Sequence, residues 1–418
     1  MRRAAICSAL VVFSALCSGR AVAAGEYQLI LGVDQLADYD DNVDFTRDNE
    51  TAATSYTLTP LLKLDGQSER WDLGVDLATP FERYTEDRLD SDNQQLDVQS
   101  QRRLERGDLI FTGGLLRDST HRAEEESSGL VAQNAQRYVR ETFGGSWNRR
   151  VGELNQISVG GNAQSANYAS GTQLHDYDYG SVQLGWSHVI NPRVTAQVNV
   201  FDSHLSSEVD SEEFFVFTPG GSVELVEVAF PDSETDTVGV QGGLTRVFNE
   251  RLRGSFLLGW RNLDTTNHAF LGFNSDGTAE FLDVTASDNG GLSSANITYV
   301  GKRFELTTEL SRDLTPSGVG VLFERDELSI DFEYQVRERL WLRVHALAYD
   351  NDSTDETQPF SRQFYFVRPQ VRWRVLEHWT LTGGFDVRNQ DLEDTGRATS
   401  HSVFLALNYE TAPIPVFR

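Results

Sequence analysis

The segment from Glu327 to Tyr349, ELSIDFEYQVRERLWLRVHALAY, alternates between apolar and polar residues. Its apolar row consists of Leu328, Ile330, Phe332, Tyr334 and Val336 and then, after Arg337-Glu338-Arg339, of Leu340, Leu342, Val344 and Ala346. Because successive side chains of a strand point to opposite faces, this period of two predicts two β-strands. Only a few residues separate them, so we expect an antiparallel hairpin. Such a sheet is compatible with a soluble sandwich and with a membrane barrel.

The same alternation recurs along the chain and predicts about eighteen strands of roughly ten residues, the length that a tilted strand needs to cross a bilayer. Short connections include 65–69, 105–107, 190–193, 248–251, 301–303, 337–339 and 376–378, and the long polar connections between them are 38–54, 79–93, 118–134, 202–236, 264–290 and 350–360. Short periplasmic turns and long extracellular loops are typical of an outer-membrane barrel, whereas the Greek-key connections of a sandwich have no reason to alternate. The predicted fold is therefore all-β: one transmembrane, antiparallel, up-and-down β-barrel.

The first residues predict the compartment. Arg2 and Arg3 precede an apolar run, and residues 21–23 are small, as signal peptidase requires. We therefore interpret residues 1–23 as a secretory signal peptide and residues 24–418 as the barrel domain. Together with the predicted fold, this places the mature protein in the cell outer membrane.

The composition argues against several functions. A formal charge of −27 makes nucleic acid an unexpected partner. The eight histidines are scattered, and the sequence has no HExxH, GxSxG or phosphate-binding loop, so we expect no enzymatic activity. Cys7 and Cys17 fall in the predicted signal peptide, which leaves no cysteine for a disulfide or a metal site. The predicted outside loops are acidic but lack calcium-loop spacing, and we expect neither a metal nor a cofactor.

Aromatic residues near the strand ends indicate the membrane boundaries. The tryptophans are Trp71, Trp147, Trp186, Trp260, Trp341, Trp373 and Trp379. Such rings favour the headgroup region, so we expect them in girdles at both interfaces. Pro60 and Pro369 each remove a ladder donor and are expected to mark bulges. We also expect residues 401–410 to close the barrel against the first strand, and residues 412–418 to lie beyond the last strand.

If the apolar rows face lipid, the opposite rows line a polar lumen. The predicted pore-lining acids are Glu305, Glu309, Glu327, Asp331 and Glu333, and the predicted pore-lining bases are Arg343, His345, Arg368, Arg372, Arg374 and Arg388. Acids on one wall and bases on the next would create a field across the pore. Alternatively, these are ordinary lumen residues that pair across strands. Uncharged groups that suit weak contacts with hydroxyl-rich chains are predicted on the other side, at Gln156, Asn162, Gln183, Gln197 and Asn199.

One predicted loop differs from the others. Residues 213–230 contain FFVF and VELVEVAF around Pro219-Gly220-Gly221. Two such runs around a turn predict a hairpin, which either extends beyond the membrane or folds into the pore as a constriction. We expect extension.

Short motifs resemble a known family. Ala37-Asp38-Tyr39-Asp40-Asp41-Asn42-Val43 after the first strand and Leu58-Thr59-Pro60 in the second resemble the start of the beta-barrel porin 2 group, and the turns Asn249–Leu252, Arg337–Leu340 and Glu377–Trp379 are similar to its turns. Its members are Gram-negative outer-membrane barrels, many of them associated with exopolysaccharide synthesis and export.

The resemblance implies a channel that guides an exopolysaccharide to the cell surface, with periplasmic export machinery as a partner. A general diffusion porin for small solutes and a structural or adhesive surface barrel are the alternatives. The expected partners are outer-membrane lipid and lipopolysaccharide, and either a polysaccharide chain or small solutes.

Overall fold

In the computed structural model, the described residues are 25–121, 135–169, 174–209, 212–217, 223–274, 279–354, 360–392 and 396–417. The predicted signal peptide, residues 1–23, lies outside them. Among the described residues, no helix has the length and apolar character needed to cross a membrane.

One antiparallel sheet of twenty-one strands contains most of the regular structure, and β12 and β13 form a separate hairpin. The strands are β1 (Glu26–Asp40), β2 (Ala53–Gln67), β3 (Trp71–Ala78), β4 (Phe81–Tyr84), β5 (Ser91–Asp92), β6 (Gln94–Leu104), β7 (Gly107–Ser119), β8 (Arg137–Arg150), β9 (Asn155–Tyr168), β10 (Tyr177–Asn191), β11 (Val194–Ser207), β12 (Glu212–Phe217), β13 (Val223–Val228), β14 (Ser233–Val247), β15 (Leu252–Phe273), β16 (Ala279–Val300), β17 (Phe304–Pro316), β18 (Leu322–Arg337), β19 (Leu340–Ser353), β20 (Ser361–Leu376), β21 (Trp379–Leu392), β22 (Gly396–Glu410) and β23 (Ile414–Phe417). β3 and β4 follow one another along β2, and β5 and β6 follow one another along β4 and β3, so each pair forms one strand of the barrel. The prediction of about eighteen strands is confirmed.

The sheet closes on itself. β1 pairs with β2 on one side and with β22 on the other, where Gly32 lies opposite Glu410 and Asp40 opposite Ser402. This confirms the predicted closure. The tail that was expected beyond the last strand instead forms β23, which pairs with Leu29 and its neighbours, because β1 extends past the end of β22 and leaves an edge to be paired.

Each barrel strand has an outer row and an inner row of side chains. The outer rows carry the exposed apolar residues; Val182, Leu184 and Val403, for example, are 60%, 56% and 61% exposed. An apolar exterior is stable only against hydrocarbon, and closure satisfies the backbone donors and acceptors that lipid cannot. This barrel therefore spans the outer membrane.

Aromatic side chains in outer rows lie near the barrel end where β1 begins. The Arg102 guanidinium is 5.2 Å from the ring centre of Trp71, and the rings of Trp379 and Tyr409 are 4.8 Å apart. Amphipathic rings and arginines at this level suit the boundary between hydrocarbon and headgroups.

The girdle prediction was wrong for Trp341. This residue lies in the inner row of β19 with Arg343, and the guanidinium groups of Arg372 and Arg374 lie 5.1 and 5.5 Å from its ring centre. The reason is parity: a residue two positions before an inward-facing arginine faces inward as well.

The connections at the end where β1 begins are short, which assigns this end to the periplasm. Several outside connections differ from the predicted loops. Residues 264–273 and 279–290 form the outer halves of β15 and β16, which stay paired as far as Phe273 and Ala279, with a register shift after Phe270. The predicted loop 202–236 likewise contains the ends of β11 and β14 and a hairpin. These ribbons lie beyond the membrane, where neither face has to be apolar, so they lack the alternation on which the prediction depended.

Pro60 and Pro369 interrupt hydrogen bonding without the predicted bulges. β2 pairs with β3 up to Leu61 and with β4 from Leu58, which leaves a gap at Pro60 in an unchanged register. The β20–β21 ladder has the same kind of gap at Pro369, again without a register shift there. A missing N–H thus removes a ladder bond but does not force an extra residue into the strand.

Candidate functional site

The predicted pore-lining residues all lie in inner rows. Glu305 and Glu309 are on β17, Glu327, Asp331 and Glu333 on β18, Arg343 and His345 on β19, Arg368, Arg372 and Arg374 on β20, and Arg388 on β21. On each strand, these residues lie on the face opposite to the exposed apolar residues, and the strand register keeps these faces aligned between neighbours. We call the inner face of β17–β21 the charged wall. A role of these residues in ion passage stays a prediction.

Charges of the charged wall pair across neighbouring strands. Glu333 lies between two arginines, with 3.7 Å to Arg343 and 3.2 Å to Arg372. His345 Nδ1 lies 3.0 Å from a carboxylate oxygen of Asp331, which accepts the hydrogen bond when Nδ1 carries a proton. Opposite charges at this separation reduce each other's field in the lumen. The arrangement corresponds to the alternative in which lumen residues pair with one another.

Two further arginines of this wall bind carboxylates that the sequence analysis did not single out. Arg368 donates two hydrogen bonds to Asp386, at 2.7 and 2.6 Å. Arg388 pairs with Asp40 of β1. The parity of β21 could have identified Asp386, which lies two residues from Arg388 on the same face. The predicted closure places β22 beside β1, but nothing in the sequence indicates that Asp40 reaches past β22 to Arg388 of β21.

Glu305 and Glu309 have no ion pair with any described residue. Glu305 lies opposite Glu333 in the register, and Glu309 lies opposite Ser329. Among the described residues, Arg374 has no carboxylate partner either, and its guanidinium group stacks on the ring of Trp341. The periplasmic half of this wall therefore retains both unpaired acid and unpaired base.

The opposite side of the lumen is uncharged. The inner rows of β9, β10, β11 and β14 contain no Asp, Glu, Lys, Arg or His, and we call this face the neutral wall. Its hydrogen-bonding side chains include Gln156, Ser158, Asn162, Gln164, Ser181, Gln183, Ser187, Gln197, Asn199, Gln241 and Thr245. The charged residues of these strands, such as Asp178, Asp202 and Arg246, all lie in the outer rows. The uncharged residues that were predicted to line this side, such as Gln183 and Asn199, thus lie together on the neutral wall, as expected.

Glycines give the polar side chains of the neutral wall room to meet. A Cβ on Gly185 would lie 2.3 Å from Ser158 Oγ and 2.6 Å from Asn199 Oδ1, so these side chains converge over the glycine from the two neighbouring strands. A Cβ on Gly160 would likewise be 3.1 Å from Gln183 Nε2. The result is a continuous strip of amide and hydroxyl groups.

The loop between β1 and β2 folds into the outer mouth of the barrel. Phe45 is 4% exposed and packs edge-on against Phe364 of β20, with 6.1 Å between ring centres. Gln390 of β21 donates a 3.0 Å hydrogen bond to the Phe45 carbonyl, and Asn42 donates one of the same length to the Thr399 carbonyl. This loop therefore covers the inner rows of β20–β22 at the mouth.

The hairpin predicted over 213–230 is formed by β12 and β13, with Phe214 opposite Val226. Beyond its end, Phe230 packs against Phe281 and Phe270, at 5.3 and 6.4 Å between ring centres. Both partners belong to the ribbon of β15 and β16 beyond the membrane, on the side that continues the outer rows. These contacts favour extension over folding into the pore.

An outer-membrane β-barrel with a polar lumen is thus the class of protein that the fold and its inner rows define. No protein-family model matches the sequence, and no curated protein matches it significantly. Among solved structures, the chain is similar to the ferric-catecholate import receptor Fiu from E. coli K12 in its open form, with 9% identity over 91% of this chain and 81% of that chain and a TM-score of 0.45. It is also similar to the outer membrane protein OpdK from Pseudomonas aeruginosa, with 9% identity, 92% and 98% coverage and a TM-score of 0.42. A third similar structure is OccAB2 of Acinetobacter baumannii, with 11% identity, 92% and 98% coverage and a TM-score of 0.43.

Proposed function

We propose that the barrel is a channel that guides a hydroxyl-rich polymer, an exopolysaccharide, across the outer membrane to the cell surface. The observation that carries the proposal is the neutral wall, which offers donors and acceptors over the inner faces of four adjacent strands. The resemblance to the beta-barrel porin 2 family, many of whose members are associated with exopolysaccharide export, supports the same cargo.

The chemistry of the neutral wall suits a cargo that must move. A neutral hydrogen bond between an amide and a sugar hydroxyl is worth only about 1 kcal/mol net, because both groups exchange it for a bond to water. Many such bonds along Gln183, Asn199 and their neighbours can guide a chain, and none of them is strong enough to hold it. An unpaired arginine or carboxylate would anchor a charged polymer more tightly.

The test is current block in a planar bilayer. With the purified barrel inserted, we expect neutral dextran oligomers added on the periplasmic side to interrupt the ion current for times that increase with chain length. Replacing Gln183 and Asn199 together by leucine removes two donors and acceptors and should shorten the block about 5- to 30-fold, since the two lost bonds together contribute about 1–2 kcal/mol. The matched control is Gln370→Leu, on the inner row of the charged wall, which should leave the block unchanged.

Two results would contradict the proposal. Ion current that passes without any interruption by the oligomers would indicate a general diffusion porin for small solutes. A strain that lacks this chain and still secretes normal amounts of polymer would exclude export as the function, whatever the bilayer measurement shows.

A further inference from the structure

The β17–β18 tip, residues Pro316–Leu322, leaves the wall of the barrel. β16 and β17 are paired only up to Ser293 and Arg312, whereas β17 and β18 stay paired up to Pro316 and Leu322. The last part of this hairpin therefore has no strand beside it on the β16 side. It is free to bend away from the cylinder of the barrel.

The tip bends inward and reaches the other side of the outer mouth. Leu322 is buried in an apolar cluster, and Leu314 packs against it. The remaining buried members of the cluster are inner-row residues of β8, β9, β10, β11 and β15, namely Tyr138, Ala166, Tyr177, Leu205 and Leu263. Lower on the same two strands, the row of Leu314 and Leu322 faces lipid with Leu310 and Leu328, which are 53% and 38% exposed. In the tip, the side chains that continue the outer rows of β17 and β18 therefore pack against inner-row residues on the opposite side of the barrel.

Backbone contacts fix the tip in this position. The His175 N–H of the β9–β10 connection donates a 2.6 Å hydrogen bond to the Gly318 carbonyl. A Cβ on Gly318 would lie 2.5 Å from the Tyr168 hydroxyl oxygen, so only glycine allows this approach. Gly320 has a φ of +84°, in the region that favours glycine, and lies close to Ser207 of β11.

A buried ion pair holds the base of the tip. Arg261 of β15 is 1% exposed and donates hydrogen bonds to Glu324 of β18 at 2.6 Å and to Asp288 of β16 at 3.0 Å. Glu324 also lies 3.6 Å from Arg312. Breaking a buried ion pair leaves an uncompensated charge, so this contact resists outward movement of β18.

We propose that the β17–β18 tip determines the size of cargo that passes the outer mouth, and that the ion pair between Arg261 and Glu324 holds it in place. A barrel of eighteen strands encloses an aqueous channel wide enough for solutes, so a size limit has to come from segments folded into it. The tip is the segment that reaches from β17 and β18 to β8–β11. The inference deepens the proposed function, since a polymer chain can leave only when the tip moves, but it does not depend on the identity of the cargo.

The first test shortens the tip. Residues Ser317–Val321 are replaced by Asn-Gly, which makes a tight two-residue hairpin turn, and the full-length barrel is studied in planar bilayers. We expect single-channel conductance to rise at least about twofold, because conduction through a pore depends on its narrowest part, and larger polyethylene glycols to enter. A folded, shortened barrel with the original conductance and the original polyethylene glycol cut-off would overturn the proposal.

The second test changes the ion pair without shortening the chain. Glu324→Gln weakens a charge-assisted hydrogen bond and should increase the open probability about tenfold. Asp326→Asn is the matched control, because Asp326 binds Arg312 but does not touch Arg261, and its open probability should equal that of the original protein. Equal open probabilities for both variants and the original protein would show that the ion pair does not hold the tip.

A third variant keeps the proposal testable if the shortened barrel does not fold. The cysteine pair Ser207→Cys and Gly320→Cys ties the tip to β11, because a Cβ on Gly320 would lie 3.5 Å from the Ser207 Cβ, within the range of a disulfide. The reduced form of the same variant is the control for backbone strain at the positive φ of Gly320. The oxidised form should lose its large-conductance openings and regain them with reductant; equal currents in both states would contradict the proposal. All of these readouts use ions and polyethylene glycol, so they succeed or fail independently of the block by dextran oligomers.

Discussion

Glycines in the inner rows have very different surroundings, and this difference decides what each position tolerates. A Cβ on Gly243 of β14 would lie 1.9 Å from the Phe256 carbonyl oxygen of the neighbouring strand. Gly74 of β3 has no atom within 4 Å of the same point. The backbone cannot shift at Gly243 without disturbing the ladder between β14 and β15, whereas a methyl group at Gly74 extends into open space.

We therefore expect Gly243→Ala to destabilise the barrel by about 1–3 kcal/mol, the usual cost of overpacking. Gly74→Ala is the control and should have no effect. The measurement is the temperature at which the folded barrel in detergent converts to the unfolded form on an electrophoresis gel. Identical conversion temperatures for the two variants would show that the sheet adjusts freely around Gly243.

At the scale of elements, the β12–β13 hairpin is separate from the barrel that carries it. Among the described residues, its two strands pair with each other and not with the barrel sheet. β11 and β14 are paired with each other up to Ser207 and Ser233. The packing of Phe230 on the β15–β16 ribbon places the hairpin base beyond the membrane.

Replacing residues 210–230 by a short Gly-Ser linker should therefore leave both assembly and conductance unchanged. The backbone pairs that form the barrel are all retained, and no part of the tip is removed. Conductance in planar bilayers and the unfolding temperature in detergent are the measurements. A marked increase in conductance would mean that the hairpin, against the contacts of Phe230, constricts the pore.

For the whole molecule, the sequence predicted those features that repeat along the chain. Residues such as Leu328 and Arg343 alternate because every membrane strand has lipid on one side and water on the other, so the strand number and the inner rows could be predicted. The course of β15 and β16 beyond the membrane could not be predicted, because the outer rows there carry polar residues such as His268 and Asp283 and the alternation is lost. The inward position of Leu322 was hidden as well, since its parity matches that of the lipid-facing row.

Side-chain contacts between strands that are distant in the sequence could not be predicted from local sequence patterns either. The carboxylate of Asp40 reaches Arg388 only because the barrel closes between β1 and β22. The same holds for the ion pair of Arg261 and Glu324, which depends on the separation of β16 from β17. Parity assigns a residue to a face, but it does not say which other residues share that part of the lumen.

Pairing of Tyr27 with Phe417 brings the first and the last strand together at the periplasmic rim. In a closed barrel every strand has a neighbour on both sides, so the termini could lie at another turn without changing the strand pairs. A circular permutant that joins residues 25 and 417 by a short linker and opens the turn between Asn249 and Glu250 should refold in detergent with nearly the same unfolding temperature, because exposed turns tolerate new termini. The control is a barrel with the same linker inserted but the original termini retained. If the control refolds and the permutant does not, the natural order of strands is needed for assembly, although the folded barrel would have the same strand pairs in both.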